Sequence, residues 1–477
     1  MTQRVMFLNP PSYEGFDGGA GSRYQARREV RSFWYPTWLA HAAALCPQSK
    51  VIDAPAEDMS VETVVDTADR FDMVVIYTST PGYANDARIA RQMKRRYPNL
   101  TIGMAGPHCT VLPKETLQGC DVLDFVARKE FDFTILDIAL GKPLHKTDGI
   151  SYMQDQQVIH NPDRAPITDM DRIPSVLDVY KRDLTIENYF AGYLSHPYLS
   201  VYTGRGCPGR CTFCLWPQTI GGRTYRTRSV ENVLAEMQRV RAMFPQVREI
   251  FFDDDTFTAN PKRAEAIAGG LKKLRITWSC SARANVSART LAIMKAGGLR
   301  CLMVGVESGN DQILKNIKKG ITTAQMSAFF KICRKLNITT HATFVLGLPG
   351  ETRETVQQTI AYAKAIDPDT LQVSIATPYP GTELYDQAVA NGWFRETDLV
   401  SQAGIQQAAI EYADFTRQEI FDAVETFYNR FYLRPKPVLR IIGTMLRDKD
   451  VCMRRLREAR EFFSFMHQRK RVSANTR

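Results

Sequence analysis

The sequence predicts an α/β protein with two successive series of strands and helices, followed by a helical C-terminal region. Short apolar runs typical of buried strands alternate with stretches of helical periodicity over residues 1–145 and again over 196–400. This alternation is typical of parallel sheets flanked by helices. Beyond residue 400, apolar residues recur at helical spacing. We therefore predict α/β domains at 1–145 and 196–400, a connector at 146–195 and a basic helical region at 401–477.

Composition places the chain among ordinary globular proteins. It has 477 residues, of which 44% are hydrophobic and 24% charged, enough for two to three domains. The N-terminus lacks the apolar core of a signal peptide, and no run approaches the roughly 18 apolar residues of a membrane span. Seven of the ten cysteines are scattered, mostly in apolar runs, which favours buried thiols over a disulfide framework. We therefore expect a cytoplasmic protein.

The first series contains four short apolar strands with helical stretches between them. Ligands of such sheets bind outside the carboxyl ends of the strands, here in the loops after each strand. The Gly-rich loop at 15–21 does not match a phosphate-binding fingerprint. The predicted strands are Arg4–Asn9, Lys50–Asp53, Phe71–Thr78 and Leu100–Ala105.

The second series contains six strands, and each ends in polar or Gly-rich residues. In a parallel barrel these ends converge on one face, where binding sites are built. The sequence therefore predicts a partial (β/α)6 barrel of the TIM type with a site at its carboxyl face. The predicted strands are Tyr198–Thr203, Arg248–Phe252, Ile276–Cys280, Cys301–Val304, His341–Leu346 and Thr370–Ala376.

Three cysteines with the spacing C-x3-C-x2-C follow the first strand of this series. Cys207, Cys211 and Cys214 can converge on one small inorganic group, and three thiols are one too few for tetrahedral zinc or a fully ligated [4Fe–4S] cluster. Glycines on either side allow the backbone to approach such a group closely. A structural zinc knuckle is the alternative, but the nearest histidine, His196, lies beyond an apolar run.

The cysteine motif resembles the signature of radical S-adenosylmethionine (SAM) enzymes. The resemblance implies that the three cysteines hold three irons of a [4Fe–4S] cluster, and that the fourth iron binds the amino and carboxylate groups of SAM. One electron from the cluster then cleaves SAM, giving a 5'-deoxyadenosyl radical that removes hydrogen from an unactivated carbon. An electron donor such as flavodoxin or ferredoxin is implied as a partner.

The resemblance also implies SAM-binding roles for residues at the strand ends. Phe213 lies where the family places an aromatic residue against adenine, and Asp253 or Asp254 where it contacts the SAM ammonium group. The alternative for the Asp253–Asp255 triplet is a site for a hard cation. Ser281 and Arg283 fall near the SAM carboxylate and ribose, and Glu307 where the ribose hydroxyls are oriented.

Residues 1–145 resemble the cobalamin-binding domain found in many radical SAM proteins. The shared pieces are Asn9–Pro11, Tyr35–Ala40, Asp72–Ile76 and Ala105–Thr110. Bound cobalamin is therefore possible, although the Asp-x-His-x-x-Gly motif of other cobalamin proteins is missing, and a vestigial domain would have the same sequence pattern. His108 is either a hydrogen-bonded loop histidine or a cobalt ligand.

Positive charge is concentrated near the C-terminus. Net charge is +11, but residues 434–477 contain 13 Lys and Arg against 4 Asp and Glu, so this segment carries +9 and the remainder +2. Its apolar residues recur at helical spacing, with arginines between them. Such a segment fits either an anionic membrane surface or a helix docked on the barrel. Nucleic acid is not expected as a partner, because no recognisable nucleic-acid-binding fold accompanies the charge.

The stretches Phe33–Pro36 and Gly206–Gln218 are similar to radical SAM proteins of hopanoid biosynthesis. This similarity implies a lipid substrate: the glucosamine head group of a bacteriohopanetetrol lipid would undergo ring contraction to a cyclitol ether. Peripheral contact with the inner face of the membrane would follow. The alternatives are a cobalamin-dependent radical SAM methyltransferase that acts on a lipid or small metabolite, and a non-catalytic cluster protein.

Overall fold

A seven-stranded sheet forms the core of the N-terminal part of the chain. The computed structural model describes residues 2–12, 32–395, 399–401, 404–446 and 449–475, so the Gly-rich loop at 15–21 lies outside the described residues. The strands are β1 (Val5–Asn9), β2 (Ser49–Asp53), β3 (Met73–Tyr77), β4 (Thr101–Ala105), β5 (Phe125–Ala127), β6 (Ile150–Gln154) and β7 (Gln157–His160). Their order is β2-β1-β3-β4-β5-β6-β7, parallel through β5 and antiparallel beyond it. The order reverses between β1 and β3, where sheets of this kind bind ligands.

Helices cover both faces of this sheet. Alternate residues of β1 belong to two separate cores: Met6 and Leu8 face one, and Val5 and Phe7 face the other, which continues into the second sheet. The two sheets therefore share one hydrophobic core. The helices are α1 (Thr37–Leu45), α2 (Val61–Thr67), α3 (Tyr83–Arg96), α4 (Pro107–Val111), α5 (Pro113–Gly119), α6 (Asp132–Ala139) and α7 (Leu177–Asp183).

The second sheet is the predicted six-stranded parallel half-barrel. Its order is β15-β14-β13-β12-β11-β8, and a small antiparallel pair, β9 with β10, lies beside it. The strands are β8 (Tyr198–Val201), β9 (Gly204–Arg205), β10 (Arg226–Thr227), β11 (Glu249–Phe252), β12 (Trp278–Ala282), β13 (Leu299–Glu307), β14 (Thr339–Leu346) and β15 (Thr370–Ile375). Strand β12 lies two residues further along the chain than predicted, so Ser281 is within it, and β13 is longer than predicted, with Glu307 as its last residue.

Helices surround the half-barrel and continue to the C-terminus. Ser229 caps the helix that follows it, because its Oγ accepts a hydrogen bond from Asn232 N at 3.1 Å. The helices are α8 (Leu215–Thr219), α9 (Val230–Met243), α10 (Pro261–Leu274), α11 (Ala288–Ala296), α12 (Asp311–Asn316), α13 (Thr323–Lys335), α14 (Arg353–Ile366), α15 (Glu383–Ala390), α16 (Arg417–Tyr432), α17 (Pro435–Met445) and α18 (Lys449–Asn475).

The open edge of the half-barrel at β15 is covered by side chains. Leu371 N donates to Tyr432 Oη and Val373 N to Tyr428 Oη, both at 2.9 Å. Ile375 N donates to Gln406 Oε1 at 3.0 Å. Alternate amides of the edge strand thus find partners on α16 and the loop before it, which protects the edge against pairing with another chain. Within the described ranges, none of the helices is both long and apolar enough to span a bilayer.

Candidate functional site

The three cysteines of the motif lie on one loop between β9 and α8. Cys211 is buried, and Cys207 and Cys214 are half-buried. The chain enters the loop through Gly206, which has φ of +92°, and a Cβ there would lie 2.2 Å from the Thr224 carbonyl oxygen. Only glycine fits this position, which supports the prediction that glycines let the backbone close tightly around the thiols.

Arg283 approaches the cysteine loop from the end of β12. Its Nη1 lies 4.0 Å from Cys211 Sγ, and its Nη2 donates to the Lys319 carbonyl oxygen. A Cβ on Gly209 would lie 2.7 Å from Arg283 Nη1 and 3.2 Å from Cys207 Sγ. Burial raises the pKa of the Cys207 thiol, so a nearby cation or metal is needed to stabilise its thiolate. A guanidinium beside Cys211 and a glycine that leaves room next to Cys207 suit an anionic iron–sulfur cluster bound by the three thiols of this loop.

The alternatives of a zinc knuckle and a hard-cation site gain no support from the geometry. In the part of the chain that the structure describes, no three His, Cys, Asp or Glu side chains form a group that could hold a metal ion as they stand. Zinc requires all its ligands on one ion, whereas a [4Fe–4S] cluster distributes its thiolates over separate irons.

Glu307 and Lys319 form a buried ion pair next to the cysteine loop. Lys319 Nζ donates to Glu307 Oε1 at 2.7 Å, and both side chains are less than a tenth exposed. Glu307 has φ of +66°. A Cβ on Gly305 would lie 2.3 Å from Glu307 Oε1 and 2.9 Å from Lys319 Nζ, so only glycine leaves room for the pair. Burial alone would lower the pKa of Lys319, but Glu307 raises it.

The three aspartates after β11 have different surroundings. Asp254 is fully buried. Its oxygens accept from Thr203 N and Oγ1 at 2.6 Å each and from Tyr225 Oη at 2.5 Å. Burial raises its pKa. Asp255 Oδ2 accepts from Gly206 N at 2.8 Å, at the entrance to the cysteine loop. Asp254 is thus held by Thr203 and Tyr225, and Asp255 by the backbone at the loop entrance.

The other predicted SAM-binding residues also lie at this end of the half-barrel. Ser281 is buried, and its Oγ has no hydrogen-bond partner among the described residues, which suits a polar ligand. Phe213 is half-buried and directly precedes Cys214. In the turn after β14, Glu351 accepts a hydrogen bond from Gly347 N, and burial raises the pKa of this carboxyl to about 8.

The carboxyl edge of the first sheet carries buried polar groups of low charge. Ser79 Oγ and His108 Nε2 have no hydrogen-bond partner within the described ranges. His108 Nδ1 lies 3.3 Å from Thr80 Oγ1, and its ring stacks on Tyr83 at 4.5 Å. Burial lowers the pKa of His108 to about 4 and raises that of Asp86 to about 7. Unpartnered polar atoms on a neutral edge fit a large ligand with many hydrogen-bonding groups, such as cobalamin.

The carboxyl edges of the two sheets lie next to each other. Helix α4, which contains His108, packs against α8, which begins after Cys214. A Cβ on Gly381, in the loop after β15, would lie 2.3 Å from Val111 Cγ1 of α4 and 3.4 Å from Thr219 Cγ2 of α8. The end of the last barrel strand, the cysteine loop and the edge of the first sheet therefore meet at one place.

Arg205 connects the two sheets just before the cysteine loop. Its guanidinium donates to both oxygens of Asp132 at 2.7 and 2.9 Å, and Nη2 lies 3.0 Å from His41 Nδ1. The Arg205 guanidinium also lies 4.1 Å from the ring centre of Trp38, which stacks on Trp216 of α8 at 5.8 Å. Burial opposes ionisation of Asp132, but Arg205 lowers the pKa of that carboxyl.

Sequence reasoning missed Arg205 and Lys319. A Gly-Arg-Gly segment before the cysteines and a Lys-Lys-Gly segment after α12 were the available signals. Neither sequence segment shows whether its cation is buried or exposed. The Lys318 side chain is 52% exposed, whereas that of the neighbouring Lys319 is 6% exposed.

Family signatures and relatives match the chain along most of its length. The B12 binding domain matches residues 26–138 and the radical SAM superfamily residues 201–363. An uncharacterized methyltransferase of Pyrococcus horikoshii is 33% identical over 434 residues, 87% of this chain and 92% of that protein. An anaerobic magnesium-protoporphyrin IX monomethyl ester cyclase of Cereibacter sphaeroides is 23% identical over 453 residues, 90% of this chain and 70% of that protein.

A solved structure has the same fold. The cobalamin-dependent S-adenosylmethionine radical enzyme OxsB, with aqua-cobalamin and S-adenosylmethionine bound, gives a TM-score of 0.69 at 17% identity. The match covers 98% of this chain and 71% of OxsB. The chain therefore belongs to the radical SAM superfamily, among the members with a B12-binding domain, and its cofactors are a [4Fe–4S] cluster, SAM and cobalamin.

Proposed function

We propose that the protein is a cobalamin-dependent radical SAM methyltransferase. The observation that carries this proposal is the contact between α4, at the carboxyl edge of the first sheet, and α8, next to the cysteine loop. A methyl carrier and a radical source must reach the same substrate carbon, so their sites have to face one cavity. The methyltransferase name of the P. horikoshii relative also supports this assignment.

The chain's own residues hold and orient the reactants. When bound, the cluster with SAM supplies a radical, and cobalamin supplies a methyl group. We assign Cys207, Cys211 and Cys214 to the cluster. We assign Phe213, Asp253 or Asp254, Ser281, Arg283 and Glu307 to SAM, with Lys319 fixing the Glu307 carboxylate. The Arg205 network keeps the cysteine loop aligned with the first sheet. Activity also needs an electron donor, for which flavodoxin or ferredoxin remains the prediction.

Hopanoid ring contraction has weaker support than methyl transfer. A relative with a hopanoid name, the hopanoid C-3 methylase of Methylococcus capsulatus, is 28% identical over 41% of this chain, and its name again denotes methyl transfer. No contact described above is specific for a sugar or a hopane. The lipid substrate therefore stays a prediction, and ring contraction is the outcome against which methyl transfer is tested.

The test is an anaerobic assay with labelled SAM. The protein, reconstituted with iron, sulfide and cobalamin, receives SAM with a deuterated methyl group, a reductant and a lipid extract that contains glucosaminyl hopanoid. We expect S-adenosylhomocysteine as well as 5'-deoxyadenosine, and a product heavier by one labelled methyl group. An isomer of unchanged mass, formed with 5'-deoxyadenosine but without S-adenosylhomocysteine, would replace the methyltransferase assignment with ring contraction.

A further inference from the structure

The exposed large apolar side chains of the protein are concentrated near its C-terminus. Of eleven such side chains among the described residues, nine lie between positions 433 and 463, and the other two are Leu140 and Val389. Scattered single apolar residues on a surface are normal, but a contiguous group marks an interaction site. We call these nine residues the C-terminal apolar surface: Leu433, Val438, Leu439, Ile441, Ile442, Leu446, Met453, Leu456 and Phe463.

Helix α17 is oriented with its cations toward the barrel. Arg434, Lys436 and Arg440 all reach Asp367, with N···O distances of 3.5, 2.6 and 2.9 Å. Arg440 Nη1 also donates to the Pro368 carbonyl oxygen at 2.7 Å. This fixes the polar side of the helix on the protein. The apolar side faces outward, the reverse of an ordinary surface helix.

We propose that the C-terminal apolar surface docks on an anionic phospholipid membrane. Residues 434–477 carry +9 of the net charge of +11, so the segment that bears this surface has the sign of charge that an anionic bilayer attracts. At such a bilayer the exposed apolar side chains enter the acyl boundary, and the positive charge of the segment strengthens the attraction to anionic headgroups. The same charge disfavours a second copy of the chain as the occupant, since two such surfaces repel each other.

The docked surface lies at the opposite end of the half-barrel from the cysteine loop. Asp367 and Pro368 precede the amino end of β15, whereas the cofactor-binding loops follow the carboxyl ends of the strands. Six residues of β15 separate the two ends by about 20 Å at 3.3 Å per residue. Membrane docking therefore holds the barrel with its cofactor face directed away from the bilayer, and it does not depend on the substrate being a lipid.

The test is sedimentation of the reconstituted full-length protein with lipid vesicles. Vesicles of phosphatidylcholine alone are compared with vesicles that contain about one third phosphatidylglycerol. The surface variant is Leu439→Gln with Leu446→Gln. The control is Leu140→Gln with Val389→Gln, which changes the two exposed apolar residues outside the surface. All four side chains are at least half exposed, so both proteins are expected to fold and to bind iron like the wild type.

We expect the wild type and the control to bind the anionic vesicles and to release them at high salt. Binding by the surface variant should fall about tenfold or more, because two large side chains no longer enter the acyl boundary. Absence of binding by folded wild type would overturn the proposal, and so would equal binding by the two variants. A wild-type dimer in light scattering that the surface variant abolishes would assign the surface to self-association instead.

Discussion

At the junction of the two sheets, the loops after β3 and β4 of the first sheet differ in electrostatic character from the loops of the half-barrel. Beside the first sheet, His108 and Asp86 are buried, and burial shifts both pKa values toward the neutral forms, to about 4 and about 7, although the charge of Arg88 opposes the shift of Asp86. On the half-barrel, Lys319 and Glu307 remain an ion pair, and Arg283 lies beside the cysteine thiols. Both edges belong to parallel sheets, so fold alone does not explain the difference.

The difference reflects the ligand that each edge suits. SAM is a zwitterion with a sulfonium charge, and an iron–sulfur cluster with three thiolates is anionic, so both require charged partners. Cobalamin is large and presents many neutral hydrogen-bonding groups, which a charged, dry edge would bind at a high desolvation cost. The contrast predicts that mutations on the half-barrel edge act on cofactor chemistry, whereas those on the first edge act mainly on stability and its pH dependence.

The largest effect is expected from removal of one cysteine of the motif. Cys211→Ser should lose nearly all the iron, since two remaining thiols cannot hold a cluster that needs three. SAM cleavage should disappear with it. The measurement is iron content and visible absorbance after anaerobic reconstitution. Cys452→Ser, a half-buried cysteine on α18, is the matched control and should keep both. A Cys211→Ser protein that retains its iron would remove Cys211 from the cluster.

Replacement of Arg205 should break the connection between the two edges. Arg205→Met leaves Asp132 buried without its bidentate partner, and loss of one member of a buried pair costs about 3–5 kcal/mol. The free energy of unfolding of the apo protein, measured by urea denaturation, should fall by this amount. Arg226→Met is the comparison and should cost less, because Glu130 would keep its hydrogen bond from Ile167 N at 2.9 Å and its contact with Arg205 at 3.4 Å. If the two variants lost equal free energy of unfolding, the Arg205 contacts would stabilise the protein no more than those of Arg226.

The fold could be predicted largely from local sequence, because each strand is a short apolar run whose end is marked by polar residues or glycine. The cysteine motif could also be predicted, since its three thiols are close in sequence. Burial of Arg205 and Lys319 could not be predicted. It depends on Asp132, which follows β5 of the other sheet, and on Glu307, which lies before α12 whereas Lys319 follows it. The end of β13 was predicted too early because Gly305 resembles a strand terminator, although its actual role is to admit the Glu307–Lys319 pair.

Lys319→Met tests whether the Glu307–Lys319 ion pair of the half-barrel contributes to SAM binding. Glu307 would lose its cation and its fixed orientation, and SAM affinity should fall about tenfold to a hundredfold, the usual range for a hydrogen bond to a charged group. Lys318→Met is the matched control, because Lys318 is exposed and pairs with Glu383 on the surface. Calorimetric titration of SAM into reconstituted protein provides the measurement. If both variants bind SAM alike, Lys319 has no role in positioning Glu307.

The smallest effect is expected on the neutral edge, where two pH dependences oppose each other. The pKa of Asp86 is raised from 3.8 to about 7, so the folded state holds its proton more tightly and this group lowers stability as pH rises through that range. The pKa of His108 is lowered from 6.5 to about 4, so the unfolded state takes up the proton and this group raises stability with pH. Each slope is at most about 1.4 kcal/mol per pH unit, and between about pH 4 and 6.5 they nearly cancel.

Single substitutions should expose the two slopes separately. Compared with the wild type, Asp86→Asn should make the free energy of unfolding rise more with pH between about 5 and 6.5, because the opposing contribution of Asp86 is lost. Compared with the wild type, His108→Gln should make it rise less or fall over the same range. Urea denaturation of the apo protein at several pH values measures both, and the double variant should have the same slope as the wild type. If the two single variants had parallel pH profiles, Asp86 and His108 would not be neutral in the folded protein. The contrast between the edges would then depend on the charged residues of the half-barrel alone.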